Sequence, residues 1–187
     1  MGKLVYLMNV SLDGYVETLD HSLDWSVHDE EVLGWFNDQT RTTDAMLYGS
    51  RLYRLMNAYW PTAESDPGVT AAMVEYARLW NATPKIVFSS SLSKVGPNAR
   101  LVRTDDVAAE LARLRTEFEG ELSVGGPTLA SQFIARGLVD EYRLVVHPVI
   151  LGAGKPFFPG LEAPLGLRLR ETHAFRSGVF YAGYERA

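Results

Sequence analysis

Short, largely apolar runs recur along most of this chain, each closed by glycine or serine and most followed by a segment of helical spacing. That alternation constrains the fold more than any other feature, because parallel strands need a crossover between them and a helix usually supplies it. The runs are Lys3 to Val10, closed by a turn at Asp13-Gly14; Ala45 to Tyr48, closed by Gly49; Lys85 to Phe88, closed by Ser89-Ser90-Ser91; and Glu121 to Val124, closed by Gly125-Gly126. Between them, helical spacing covers Asp29 to Thr40, Ser50 to about Ala58, Val69 to Trp80 and Asp105 to Phe118. In the last of these, Val107, Leu111, Leu114 and Phe118 share one face, and Thr104 or Asp105 can cap it. Asp20 to His28 and Pro61 to Gly68 read as loops. Pro127 at a first helical position and Gly137 just past an end bracket a further helix.

After it the pattern changes to strands alone: Tyr142 to Leu151, then Leu167 to Thr172 and Val179 to Tyr184 turning near Arg176-Ser177-Gly178. The expected architecture is α/β and three-layered: a mainly parallel mixed sheet, helices on both faces, and an antiparallel C-terminal edge. With 187 residues and no linker or repeat, one domain spanning 1–187 is expected.

Composition narrows the chemistry. There is no cysteine, which removes thiolate nucleophiles, iron–sulfur clusters and cysteine zinc sites and fits a cytoplasmic location. No stretch approaches the ~18 apolar residues of a membrane span, and the first residues lack the long apolar region of a signal peptide. A net charge of −5 without a Lys/Arg cluster argues against nucleic acid. The four histidines show no metal-ligand spacing, so no metal is expected. His147, inside an apolar strand, reads as a hydrogen-bonded structural residue. Neither G-x-S-x-G nor G-x-x-x-x-G-K-[ST] occurs.

Three strand ends are suited to phosphate: Gly49-Ser50-Arg51, Ser89-Ser90-Ser91 and Gly125-Gly126-Pro127-Thr128. Ligands of open α/β sheets bind at the carboxyl ends of the strands, where amide donors and the positive end of a helix dipole meet. Any one of these turns could be an ordinary strand-to-helix connection; three together suit a ligand with several phosphates. The stretch Val124-Gly125-Gly126-Pro127-Thr128-Leu129 lacks the G-x-G-x-x-G spacing, so a Rossmann dehydrogenase is not expected.

These features together resemble the dihydrofolate reductase-like superfamily, above all the reductase domain of riboflavin biosynthesis and its stand-alone relatives. The resemblance rests on the order of Asn9-Val10-Ser11-Leu12-Asp13-Gly14-Tyr15, Leu47-Tyr48-Gly49-Ser50-Arg51, Val87-Phe88-Ser89-Ser90-Ser91-Leu92, Leu122-Ser123-Val124-Gly125-Gly126, Val139-Asp140-Glu141-Tyr142 and Pro148-Val149-Ile150-Leu151-Gly152-Ala153-Gly154. It implies extended NADPH across the carboxyl edge of the sheet. Gly125, Gly126, Thr128 and Leu129 would hold the pyrophosphate. Gly49, Ser50 and Arg51, joined by Ser89 and Ser90, would lie by the adenosine phosphates, and Val10 and Ser11 would border the nicotinamide. A guanidinium with hydroxyl donors suits a 2′-phosphate.

The resemblance makes Glu30 and Asp13 the candidate catalytic residues. Counting from Trp25 puts the folate-reductase acid at Glu30; counting back from Trp35-Phe36 puts it at Val32. Glu30 and Glu31 read equally as first-turn acids, and Asp13-Gly14 as only a turn. Trp25, Trp35, Phe36, Tyr53, Tyr59 and Trp60 could line a cleft or fill the core. The implied activity is NADPH-dependent hydride transfer to a small pterin- or pyrimidine-like heterocycle or a carbonyl compound; the alternative is a non-catalytic nucleotide- or flavin-binding module on the same fold. A homodimer could form through Tyr142 to Leu151 and Pro156-Phe157-Phe158-Pro159, or both segments could be buried in the monomer.

Overall fold

The computed structural model describes residues 2–187. Along the chain run β1 (Lys3–Ser11), β2 (Tyr15–Glu17), α1 (Glu30–Arg41), β3 (Thr43–Gly49), α2 (Ser50–Tyr59), a 3₁₀ turn (Trp60–Ser65), α3 (Ala71–Ala82), β4 (Lys85–Phe88) and β5 (Ala99–Val102). There follow α4 (Val107–Glu117), β6 (Glu121–Gly125), α5 (Pro127–Ala135), β7 (Glu141–His147), β8 (Lys155–Pro156), β9 (Leu167–Ala174) and β10 (Phe180–Arg186). Eight strands form one sheet in the order β5-β4-β3-β6-β1-β7-β10-β9, and β2 pairs with β8 beside it. Every pairing from β5 to β7 is parallel, while β10 is antiparallel to both β7 and β9. The expected mixed sheet with an antiparallel C-terminal edge is therefore the observed one.

Strand side chains alternate between faces, and the core divides accordingly. Ala45 and Leu47 of β3 join Leu4, Tyr6, Leu122 and Val124 beneath α4 and α5, which contribute Leu111, Leu114, Leu129 and Phe133. Met46 and Tyr48 point the other way, against Tyr53 of α2 and Trp80 of α3. Val32, Trp35 and Phe36 of α1 cover Val145 and Tyr181. Helices therefore lie on both faces.

Several boundaries differ from the sequence expectation. β7 stops at His147 and not Leu151, because Pro148 has no N–H to continue the ladder. Helix α4 begins at Val107, capped by Asp106, whose carboxylate accepts from Ala109 N at 3.0 Å; Thr104 instead accepts the Asp106 amide. Edge strand β5 and the β2/β8 pair were not expected, being too short or too weakly alternating to leave a period. The segments considered for dimer pairing are partly internal and partly exposed, with Pro148, Ile150 and Pro156 on the surface. β7 is hydrogen-bonded on both edges, to β1 and β10, and Phe157 is buried against Tyr6 with ring centroids 4.1 Å apart.

A charge cluster closes the amino end of the sheet. Arg143 of β7 donates twice to Glu121 of β6, at 2.9 and 2.8 Å, once to Glu141 at 2.6 Å and once to Gln39 of α1 at 2.9 Å. Lys3 also pairs with Glu141. The Arg143, Glu121 and Glu141 side chains are only 11%, 12% and 10% exposed.

Candidate active site

At the opposite, carboxyl end of the sheet lies a cavity of about 1340 Å³. Neighbouring strands β3 and β6 send their helices to opposite faces, so the starts of α2 and α5 flank a crevice, the usual ligand position in open α/β sheets. Four strand ends contribute: Met8 from β1; Gly49, Ser50, Arg51, Arg54 and Leu55 at and beyond β3; Phe88 to Ser91 at β4; and Gly125 to Leu129 at β6. Arg103, Thr104 and Asp105 after β5 complete the far wall, while Val16, Glu17 and Asp20 to Asp24 cross the near side.

The helix starts differ in a telling way. α1 and α3, which begin away from the crevice, carry side-chain caps from Asp29 and Thr70, and α4, whose first residue Val107 lines the far wall, carries one from Asp106. α2 and α5 begin at Gly49 and Gly126 with no side-chain cap. Their first-turn amides therefore look for acceptors outside the protein, and the dipole makes an anion the favoured one. Gly126 has φ +88, which side-chain-bearing residues rarely adopt. At Gly125 a Cβ would lie 2.8 Å from Leu52 and 3.0 Å from Tyr48, so only glycine lets α2 approach the strand end. The Gly126 amide is taken by the Met8 sulfur at 3.3 Å.

On the far wall, Ser89 spends its hydroxyl accepting from the amides of Ser91 and Leu92, at 3.2 and 3.0 Å. Arg103 staples this turn by donating to the carbonyls of Ser90, at 2.9 Å, and Leu92. Hydroxyls and a fixed guanidinium thus share one small region.

Of the cofactor residues expected from sequence, Gly49, Ser50, Arg51, Ser89, Ser90, Gly125, Gly126, Thr128 and Leu129 all line this one cavity. Val10 and Ser11 do not: both are 1% exposed, and β1 presents Met8 there instead. Ser11 is consumed locally, donating to Asp13 at 2.7 Å and accepting from the Tyr15 amide.

Neither candidate carboxylate reaches the cavity. Glu30 is exposed at the start of α1, on a shallow hollow shared with Asp29, Glu31, Arg176 and Ser177. Asp13 accepts from Ser11 and from the amides of Leu151 and Gly152, at 3.1 and 2.7 Å. The Ser11 hydrogen bond, helped by those two amides, holds its carboxyl below the usual range, so it pins a turn. Trp35, Phe36, Tyr53 and Trp60 pack into the core, and none of the six aromatics considered lines the cavity.

Sequence reasoning missed Glu17, His21, Arg54 and Arg103. Arg103 follows β5 directly, so recognising that strand would have brought it under the strand-end rule. Glu17 and His21 gave no local signal.

His147 anchors the segment that leads from the cavity into α1. Its Nδ1 accepts from the Val27 amide at 2.9 Å, its Nε2 faces Asn9 Oδ1 at 2.9 Å, and Trp25 meets its ring edge-on. An amide donor at Nδ1 fixes the neutral ring with its proton on Nε2. Burial, and secondarily the nearby His28, push its pKa down to about 4. The unfolded chain, with a histidine near ~6.5, takes up a proton first on acidification. This contribution to stability is therefore full above that value and is lost as the pH falls toward 4. We expect urea unfolding midpoints to drop across that window, and the drop to flatten in His147→Gln; identical slopes would refute the assignment.

The sequence pattern described as "RibD C-terminal domain" matches residues 3–181. The chain is 32% identical over 183 residues to the uncharacterized protein YyaP of Bacillus subtilis (strain 168), covering 97% of this chain and 94% of that one. It superposes with TM-score 0.70 and 15% identity on the diaminohydroxyphosphoribosylaminopyrimidine deaminase/5-amino-6-(5-phosphoribosylamino)uracil reductase of Thermotoga maritima, covering 100% of this chain and 57% of that one. A dihydrofolate reductase from Enterococcus faecalis complexed with NADP(H) superposes with TM-score 0.66 and 14% identity, covering 99% and 96%.

Proposed function

Because this chain belongs to the RibD C-terminal domain family, we propose that it is an NADPH-dependent reductase acting on a small pyrimidine- or pterin-like heterocycle or a carbonyl compound. The observation that carries this reading is the pair of glycine-capped helix starts facing one crevice lined by arginines and serines. Such a donor set fits a ligand with a diphosphate and a further phosphate. The Enterococcus faecalis enzyme, which shares the fold, is complexed with NADP(H).

In this reading the amides opening α2 and α5 hold the diphosphate, with Ser50, Thr128 and Arg51 beside it. Ser90, Ser91 and Arg103 receive the additional phosphate; the staple to the Ser90 and Leu92 carbonyls pre-orients the guanidinium. When bound, the reduced nicotinamide supplies the hydride. Met8, Val16 and Leu23 form an apolar wall that excludes water, and the segment 16–24 closes the near side. The titratable groups on the wall are Glu17, Asp20, His21, Asp24 and Asp105, none of them the acid expected from sequence.

Titrations of tryptophan fluorescence with NADPH and NADH test the proposal. We expect NADPH to bind more tightly, and Arg103→Gln to weaken NADPH by roughly 10- to 100-fold with little effect on NADH, the worth of one charge-assisted contact. Equal affinities in the wild type would refute the phosphate assignment. A second reading, nucleotide binding without turnover, draws support from the position of Glu30 outside the cavity. Sustained NADPH oxidation with any pterin or pyrimidine would remove it.

A further inference from the structure

Within the cavity one anion is already provided by the chain. Glu17, at the end of β2, is 6% exposed, and its carboxylate lies 2.7 and 2.6 Å from the Arg51 guanidinium. The same carboxylate lies 3.0 Å from His21 Nδ1. Arg51 stands in the first turn of α2, whose start carries no side-chain cap. A buried carboxylate thus holds the guanidinium that the helix start and its neighbours would otherwise offer to a phosphate.

We infer that Glu17 is an internal competitor for the anion site, and that a phosphate-bearing ligand takes Arg51 from it by exchange. This rests on reading the cavity as a dinucleotide site. Three features make the exchange feasible. Arg51 is 59% exposed on its side chain, so it can swing without unpacking the core. Glu17 keeps its hydrogen-bond partner His21, 3.0 Å away at Nδ1, when Arg51 leaves, so its carboxylate is not left without a donor. Finally, Glu17 and His21 belong to one short unit. Its turn closes on itself through Thr18 N to Ser22 O at 3.2 Å, His21 N to Thr18 O at 3.0 Å and Ser22 N to the Thr18 hydroxyl at 2.9 Å. His21 holds φ +68 within that turn, in the left-handed region where histidine is enriched among side-chain-bearing residues. Affinity is then set by a difference between two ion pairs, and weakly charged ligands fail to displace the carboxylate.

Calorimetric titration of NADPH into the wild type, Glu17→Gln, Arg51→Gln and the double variant tests this. We expect Glu17→Gln to tighten binding by about tenfold when Arg51 is present and by less than about twofold when it is not, a coupling that independent sites do not show. Unchanged or weaker binding in Glu17→Gln, or the same gain in both backgrounds, would overturn the inference. Should Glu17→Gln fail to fold, carbon magnetic resonance of the wild type decides: the Glu17 carboxyl resonance should move toward that of a carboxylate without a guanidinium partner when NADPH is added, and an unmoved resonance would mean that the pair with Arg51 persists and overturn the inference. Wild-type binding without coupling removes only this inference, whereas no binding by any of the four proteins removes the dinucleotide reading with it.

Discussion

Gly126→Val should abolish detectable NADPH binding, a loss of at least about 100-fold, while the protein still unfolds cooperatively. Gly126 holds φ +88 as the first residue of α5's cap, and a β-branched residue there costs on the order of 1–3 kcal/mol. Space is not the obstacle, since an added Cβ would sit 3.5 Å from Leu52, an ordinary contact. The chain relieves the strain by rotating the peptide, and that rotation turns the opening amides of α5 out of the crevice. Losing two bonds to an anion, each worth about 1.5–3 kcal/mol, amounts to a hundredfold or more. Gly49→Ala is the control. Gly49 has φ −76, open to any residue, and its Cβ would meet Leu129 at 3.8 Å, so affinity should fall less than about tenfold. Undiminished binding by Gly126→Val would remove α5's start from the site.

Arg143→Met should destabilise the fold by about 3–5 kcal/mol at neutral pH, because it strands the largely buried Glu121 carboxylate and leaves Glu141 with Lys3 alone. Burial already pushes the Glu121 carboxyl up, against the pull of Arg143. Burial opposes ionisation of Glu141 too, but bonds from Arg143 and Lys3 outweigh it and hold that carboxyl down. With the guanidinium gone, the Glu121 carboxyl rises further above its unfolded value, while Glu141 keeps only Lys3 to hold it down. A raised acid favours the folded state at low pH and penalises it as pH climbs through the folded pKa. The deficit should therefore shrink on acidification, as the pH falls through the raised folded pKa toward the unfolded glutamate value of ~4.3. Denaturant midpoints of variant and wild type at several pH values check this. A deficit independent of pH would mean the loss is one of packing alone.

Most of the scaffold could be read from sequence because it is written in local patterns. Lys85 to Phe88 is a strand to the residue, and Gly125-Gly126-Pro127 marks the end of one strand and the start of the next helix. The phosphate-friendly turns converge because parallel strands deliver their carboxyl ends to one side. What stayed hidden depends on partners far along the chain. Glu17 enters the cavity only because β2 pairs with Lys155 and Pro156. Asp13 was noticed, yet its carboxylate is spent on the amides of Leu151 and Gly152. For Glu30 the spacing after Trp25 left the register of α1 open, and the helix turns it toward Arg176 and Ser177.

The two helices without side-chain caps have a meaning for anyone hoping to make this protein more heat-resistant. Gly49, with φ −76, is the one of the two open to exchange, since serine, aspartate or asparagine in place of a glycine cap adds on the order of a few tenths of a kcal/mol, whereas φ +88 strains any side chain at Gly126. Here the added oxygen would occupy the same amides that the crevice presents to a ligand. Hardier variants selected at Gly49 should be ones that have satisfied the site from within, so resistance to heat and recognition of an anion pull that residue in opposite directions.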